Sequence, residues 1–112
     1  MKASNKSIKN IDFSPGKIIF DDLCIQENLA IKKQLSRLKE DLLQVEFSNN
    51  LILDLGWYPS FRSNGKFQIR VIDNFDWEQP KFYAEASSLD TLHTLLLEAI
   101  AVCRKLGATA QN

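Results

Sequence analysis

Residues 45–86 read VEFSNNLILDLGWYPSFRSNGKFQIRVIDNFDWEQPKFYAEA. This stretch holds most of the aromatic residues and two of the three prolines, and it alternates apolar and polar residues with the period of a half-buried strand. Leu43-Gln44-Val45-Glu46-Phe47 begins the alternation just upstream, and Leu51 to Tyr58 resumes it after Ser48-Asn49-Asn50, a turn in which asparagine tolerates left-handed backbone. A three-residue turn puts Phe47 opposite Leu51, Val45 opposite Leu53 and Leu43 opposite Leu55, all on one face. Pro59 to Lys66, with Ser63-Asn64-Gly65, is a second turn, and Phe67 to Ile72 runs back. Pairing Trp57 with Phe67 sets Leu55 beside Ile69 and Leu53 beside Val71. On the other face it sets Ile52 across from Ile72 and Asp54 across from Arg70. An opposite-charge pair of that kind contributes only about 0.2–1 kcal/mol, but it supports the register independently of the apolar pattern. Asp73 to Pro80 is a loop, and Lys81 to Ala86 is a fourth strand with Phe82, Ala84 and Ala86 on the oily face.

Helical patterns flank the strands. Asp21 and Asp22 suit a helix start, and Asn28, Ile31, Leu35, Leu38 and Leu42 recur at spacings of three and four, predicting an amphipathic helix that ends near Leu42. Ile18, Ile19 and Phe20 before it form a short extended piece or pack down as the helix begins. After the strands, Ser87 as N-cap with Asp90 three residues on resembles a capping box. Leu89, Leu92, Leu96, Ala99, Ile100, Cys103 and Leu106 make a wide apolar stripe, and Gly107 is a natural stop. Two helical stripes need one apolar surface, and the meander provides one. The expected fold is therefore α+β: a two-layer sandwich of a four-stranded antiparallel meander with an N-terminal and a C-terminal helix on one face, in the order α-β-β-β-β-α. Residues 1–16, rich in Lys, Ser and Asn, are expected as a flexible basic leader with Phe13 as its one anchor, 17–107 as a single domain and 108–112 as a frayed tail.

Charge and motifs narrow the function classes. Fourteen Lys plus Arg balance fourteen Asp plus Glu, which argues against a generic nucleic-acid binder with a basic face. The first seventeen residues carry Lys2, Lys6, Lys9 and Lys17 against Asp12, so the remainder is mildly acidic and modestly biased towards basic partners. The N-terminus lacks a signal-peptide core and no apolar run reaches membrane-spanning length, so a soluble, reduced, cytoplasmic protein is expected. Cys24 and Cys103 both fall in apolar helical patterns and read as small buried hydrophobes. His93 is the one histidine, and the nearest cysteine, Cys103, lies nearly three helical turns away, so neither a catalytic dyad nor a zinc site is expected. Asp73, Asp76 and Glu78 do not follow the spacing of a calcium loop, and no phosphate-cradling glycine motif is present. Asp54 and Glu85 share a sheet face with Arg70 between them, which should keep both ionised and unfit as general acids. The expectation is no enzyme, no cofactor and no metal.

The second sheet face carries Gln44, Ile52, Asp54, Tyr58, Gln68, Arg70, Ile72, Tyr83 and Glu85, a mixture also typical of protein-binding surfaces. Trp57 belongs to the oily face. Trp77, between Asp76 and Glu78, is either a plug under its loop or an exposed binding anchor. The expected partner-binding set is Asp54, Tyr58, Arg70, Asp76, Trp77, Glu78, Tyr83 and Glu85.

With the segments placed, Leu51-Ile52-Leu53-Asp54-Leu55-Gly56-Trp57-Tyr58-Pro59, Gly65-Lys66-Phe67 and Asp76-Trp77-Glu78-Gln79-Pro80 resemble small bacterial immunity proteins of polymorphic-toxin and contact-dependent growth-inhibition systems. The resemblance covers about residues 42–100 in layout, and only LDLGWYP and DWEQP as motifs. It implies a cytoplasmic protein that binds one cognate toxin domain and blocks its active site. It supplies no shared contact residues, and the near-neutral charge departs from the strongly acidic character of many nuclease inhibitors, leaving the toxin's chemistry open. The alternative is an adaptor or secretion chaperone that binds a client through its helices, at Leu35 and Leu38. A small-ligand enzyme would require a deep pocket lined by His93 or the acidic loop.

Overall fold

The computed structural model describes residues 7–48 and 50–110. Five strands, β1 (Lys17–Asp21), β2 (Leu43–Ser48), β3 (Leu51–Tyr58), β4 (Lys66–Asp73) and β5 (Phe82–Ala86), form one antiparallel sheet in sequential order, followed by one helix, α1 (Leu89–Ala110). The α+β class of the sequence reading holds. Its four-strand count and its N-terminal helix do not.

The central register is the expected one. Trp57 pairs with Phe67, Leu55 with Ile69, Leu53 with Val71, Asp54 with Arg70 and Ile52 with Ile72. Between β2 and β3, Leu43 pairs with Leu55 and Val45 with Leu53, but a bulge between Glu46 and Ser48 brings Ser48, not Phe47, opposite Leu51. Asn49, part of the expected turn, lies outside the described residues. Leu43, Val45, Leu53, Leu55, Trp57, Phe67, Ile69 and Val71 are buried on one face with Leu92, Leu96, Ala99, Ile100 and Cys103 of α1. The Trp57 ring meets Phe67 edge-on at 4.9 Å, and its Nε1–H donates to the Arg62 carbonyl at 2.9 Å.

The chain from Asp22 to Leu42 is not an α-helix. Lys17–Asp21 pairs with β2 as an edge strand, and the Asp21 carboxylate accepts from the Leu23 N–H, turning the chain instead of starting a helix. Single 3-10 turns follow at Ile31–Lys33 and Leu35–Arg37. The buried amide of Gln34 then takes over bonds a helix would have made: its Oε1 accepts from the Gln26 N–H, and its Nε2 donates to the carbonyls of Gln26 and Leu29. Ile25, Leu38 and Leu42 still reach the core. Spacings of three and four serve either geometry, and helix propensities of a few tenths of a kcal/mol per residue are readily overridden by packing and strand pairing. Of the two residues expected to bind a client, Leu38 is fully buried and Leu35 is partly buried against the core. Cys24, expected in the core of that helix, is exposed.

Residues 7–16 pack on the domain. Ile8 is buried, the Glu27 carboxylate accepts from the Ser7 hydroxyl and the Ile8 N–H, and Arg104 of α1 donates to the carbonyls of Asp12 and Ser14. The first six residues of the expected leader lie outside the described residues. At the other end, α1 is capped by Ser88, not Ser87: the Ser88 hydroxyl oxygen accepts from the Thr91 N–H at 3.2 Å. The helix runs through Gly107 to Ala110, because one interior glycine costs only about 1 kcal/mol and here lies buried facing Ser48.

Candidate functional site

On the sheet face away from α1, strand pairing lines up one residue from each strand: Phe20, Gln44, Asp54, Arg70 and Tyr83. Paired residues project to the same side, so this row crosses the whole sheet. Asp54 is its shortest side chain and its most buried, at 3% exposed. Gln44 and Arg70 flank it in the row. Its neighbour along the strand, Gly56, is covered in turn by the Glu40 backbone. That covering comes from a bulge upstream of β2. The Leu42 N–H donates to the Leu55 carbonyl, the Trp57 N–H donates to the Lys39 carbonyl at 2.7 Å, and residues 40 and 41 arch over Gly56.

Asp54 and Arg70 face each other as expected but do not bond. The Asp54 carboxylate accepts from the Gln44 amide at 2.9 Å, and the Arg70 guanidinium donates to Gln68 at 2.7 Å. The sequence reading held Asp54 ionised by its arginine. The net shift runs the other way: loss of water pushes the Asp54 carboxyl above its ordinary value, against the Gln44 hydrogen bond and Arg70, which pull it down, while Asp41 pushes it further up.

Arg70 instead lies over two rings, with its guanidinium carbon 5.4 Å from the Tyr58 centroid and 5.0 Å from that of Tyr83. The Tyr83 hydroxyl donates to Glu85 at 2.6 Å, and Glu85 is 3.9 Å from the Lys66 ammonium. Both phenols are shifted up. Burial is the largest cause for Tyr58, ahead of Asp54. For Tyr83 burial comes first and the hydrogen bond to Glu85 second. Tyr58, Arg70, Tyr83 and Glu85 thus form a stacked ladder that strand pairing holds in place, while Asp54 sits beneath it as a buried acceptor.

Asp76, Trp77 and Glu78 belong to the β4–β5 loop, at the end of the sheet near Asn50, whose carbonyl accepts from the Asn74 N–H at 2.8 Å. Trp77 is 46% exposed, so it is no plug. Phe75, which sequence reasoning passed over, is 60% exposed with φ 61°, directly after Asn74 at φ 57°. A bulky residue in the left-handed region costs on the order of 1–3 kcal/mol. Phe61, 54% exposed with φ 63° in the β3–β4 loop, is its counterpart at the other end of the sheet. No sequence signal marks either, since the position favours Gly or Asn and phenylalanine hides it.

For chemistry, His93 is buried in α1 and Cys103 lies in the core, its thiol pushed up to about 12 by loss of water. Among the described residues no group of three or more His, Cys, Asp or Glu side chains could hold a metal ion, and no helix is long and apolar enough to cross a membrane. A cavity of about 220 Å³ at the N-terminal corner is bounded by Ile8, Phe13, Ile18, Ile25 and Leu43, and by neither His93 nor the acidic loop. The chain matches no family model, no curated protein and no solved structure.

Proposed function

We propose that the chain is a protein-binding domain without catalysis of its own, and that its partner is a bacterial toxin domain whose active site it covers, as the LDLGWYP and DWEQP resemblance implies. The observation that carries this reading is the ladder on the open sheet face: Arg70 stacked between Tyr58 and Tyr83, with Glu85 bonded to Tyr83. Tyrosine, arginine and tryptophan dominate binding hot spots because they bury large rigid area while keeping a polar tip satisfied. An arginine already stacked and a tyrosine already hydrogen-bonded lose little conformational freedom on association. The exposed aromatics Trp77 and Phe75 of the β4–β5 loop are further candidate anchors.

The test is co-expression with any candidate toxin domain encoded beside this gene, followed by calorimetric titration. The expected result is a one-to-one complex and protection of the cell. Tyr83→Ala and Trp77→Ala, both at exposed positions, should each weaken binding at least about tenfold, a loss of about 1.4 kcal/mol or more, with melting temperature nearly unchanged. Absence of binding to any neighbouring gene product, or wild-type affinity in both variants, overturns the reading.

A further inference from the structure

The row across the open face ends on edge strand β1 at Phe20, which opposes Gln44. Phe20 is also one wall of an open groove of about 300 Å³, completed by Asp22, Lys39, Glu40, Asp41, Ser60 and Phe61. We propose that this groove seats a cationic side chain, arginine or lysine, of a partner polypeptide. The proposal rests on the protein-binding reading above and adds the chemistry of what is bound.

Three features point to a cation. The phenyl walls are open, Phe20 at 41% and Phe61 at 54% exposure, and ring faces attract guanidinium and ammonium groups. The charge is unbalanced: the groove holds three carboxylates and one ammonium, and Lys39 is already paired with Asp22 at 2.6 Å. Glu40 and Asp41 are left exposed, with no hydrogen bond or ion pair from their side chains among the described residues. Finally, the walls are held. The Phe61 N–H donates to the Leu38 carbonyl at 2.7 Å, and residues 39–41 are fixed by the Trp57 bond and the close approach to Gly56. A neutral apolar side chain would desolvate the carboxylates without compensation, and an acidic one would be repelled. A cation on an apolar stem satisfies rings and carboxylates together.

The experiment uses the full chain, ¹⁵N-labelled, titrated with N-acetyl-arginine methylamide, and separately with the norleucine and glutamate analogues. Saturable amide shifts at Glu40, Asp41 and Phe61 are expected with the arginine probe alone. Glu40→Gln combined with Asp41→Asn should weaken that binding about fivefold or more, through loss of the charge-assisted contacts. Phe61→Gly, compatible with the backbone there, should weaken it about threefold through loss of a ring face. No saturable shift, equal binding of the norleucine probe, or indifference to the carboxylate variant overturns the proposal. Because no partner protein is present, the outcome is separate from whether Tyr83→Ala loses the toxin domain.

Discussion

At the scale of single residues, Asp54 is the position where burial and charge pull hardest against each other. Its carboxyl is pushed above the ordinary value of 3.8, chiefly by desolvation, so the folded state binds the proton more tightly than the unfolded chain. Below that ordinary value both states are protonated and the group costs nothing; as pH rises through the raised value, the charge must be buried and stability falls. Asp54→Asn keeps an oxygen for the Gln44 amide and removes the charge. It should raise the melting temperature at pH 7 and flatten its dependence on pH between the two values, as followed by thermal denaturation across a pH series. Two glycines make an opposed pair. A Cβ at Gly56 would collide with the Glu40 carbonyl, whereas one at Gly107 would sit 3.9 Å from the Ser48 hydroxyl, an ordinary contact. Gly56→Ala should therefore cost about 3 kcal/mol by overpacking against backbone. Gly107→Ala should gain about 0.5–1 kcal/mol by restricting the unfolded chain in a helical position. Urea denaturation of the two variants reads both signs.

At the scale of elements, the segment from Asp22 to Leu42 distinguishes pattern from structure. On a solvent-facing helix position, Gln→Ala would be neutral or slightly stabilising. Here the Gln34 side chain is buried and satisfies three backbone groups of Gln26 and Leu29. Gln34→Ala should cost about 2 kcal/mol or more, because buried polar groups lose their partners. A neutral result in urea denaturation would restore the helical reading of the segment. The strands were legible because a sheet with one oily face fixes its register through period two alone: Leu53, Leu55 and Trp57 could pair only with Val71, Ile69 and Phe67. The edge strand was less legible. Ile18, Ile19 and Phe20 are consecutive apolar residues, all more than 40% exposed, and β1 is bulged between Ile18 and Phe20, so no alternation could appear. A glycine inside the LDLGWY strand does signal close approach of another chain segment. The segment that approaches, residues 39–41, is a bulge whose position the local sequence leaves open.

At the scale of the whole molecule, one helix carries the layer that two were expected to fill. α1 supplies 22 of the 112 residues, about one fifth, whereas a second helix through residues 22–42 would bring the total to nearly two fifths. Far-UV circular dichroism should report the smaller value, and a helix content near two fifths would contradict the fold. Residues 7–13 and 22–42 fill the rest of the layer with Ile8, Ile25, Leu38 and Leu42, tied down by side-chain bonds such as Ser7 to Glu27 and Arg104 to the carbonyls of Asp12 and Ser14. That Tyr58, Arg70, Tyr83 and Glu85 share the opposite face is legible from alternation, since each is offset by one from the oily positions of its own strand. The strands from Leu43 to Ala86, their central register and the composition of each face follow from the residue pattern alone, because a two-residue period and a buried side leave only one consistent pairing. Three features emerge only in the folded chain: Asp54 lies under its neighbours, Arg70 stacks on tyrosines instead of pairing with that carboxylate, and Phe20 and Phe61 line one groove. Each depends on side-chain length, solvent exclusion and segments distant in the chain, and short-range periodicity carries none of these.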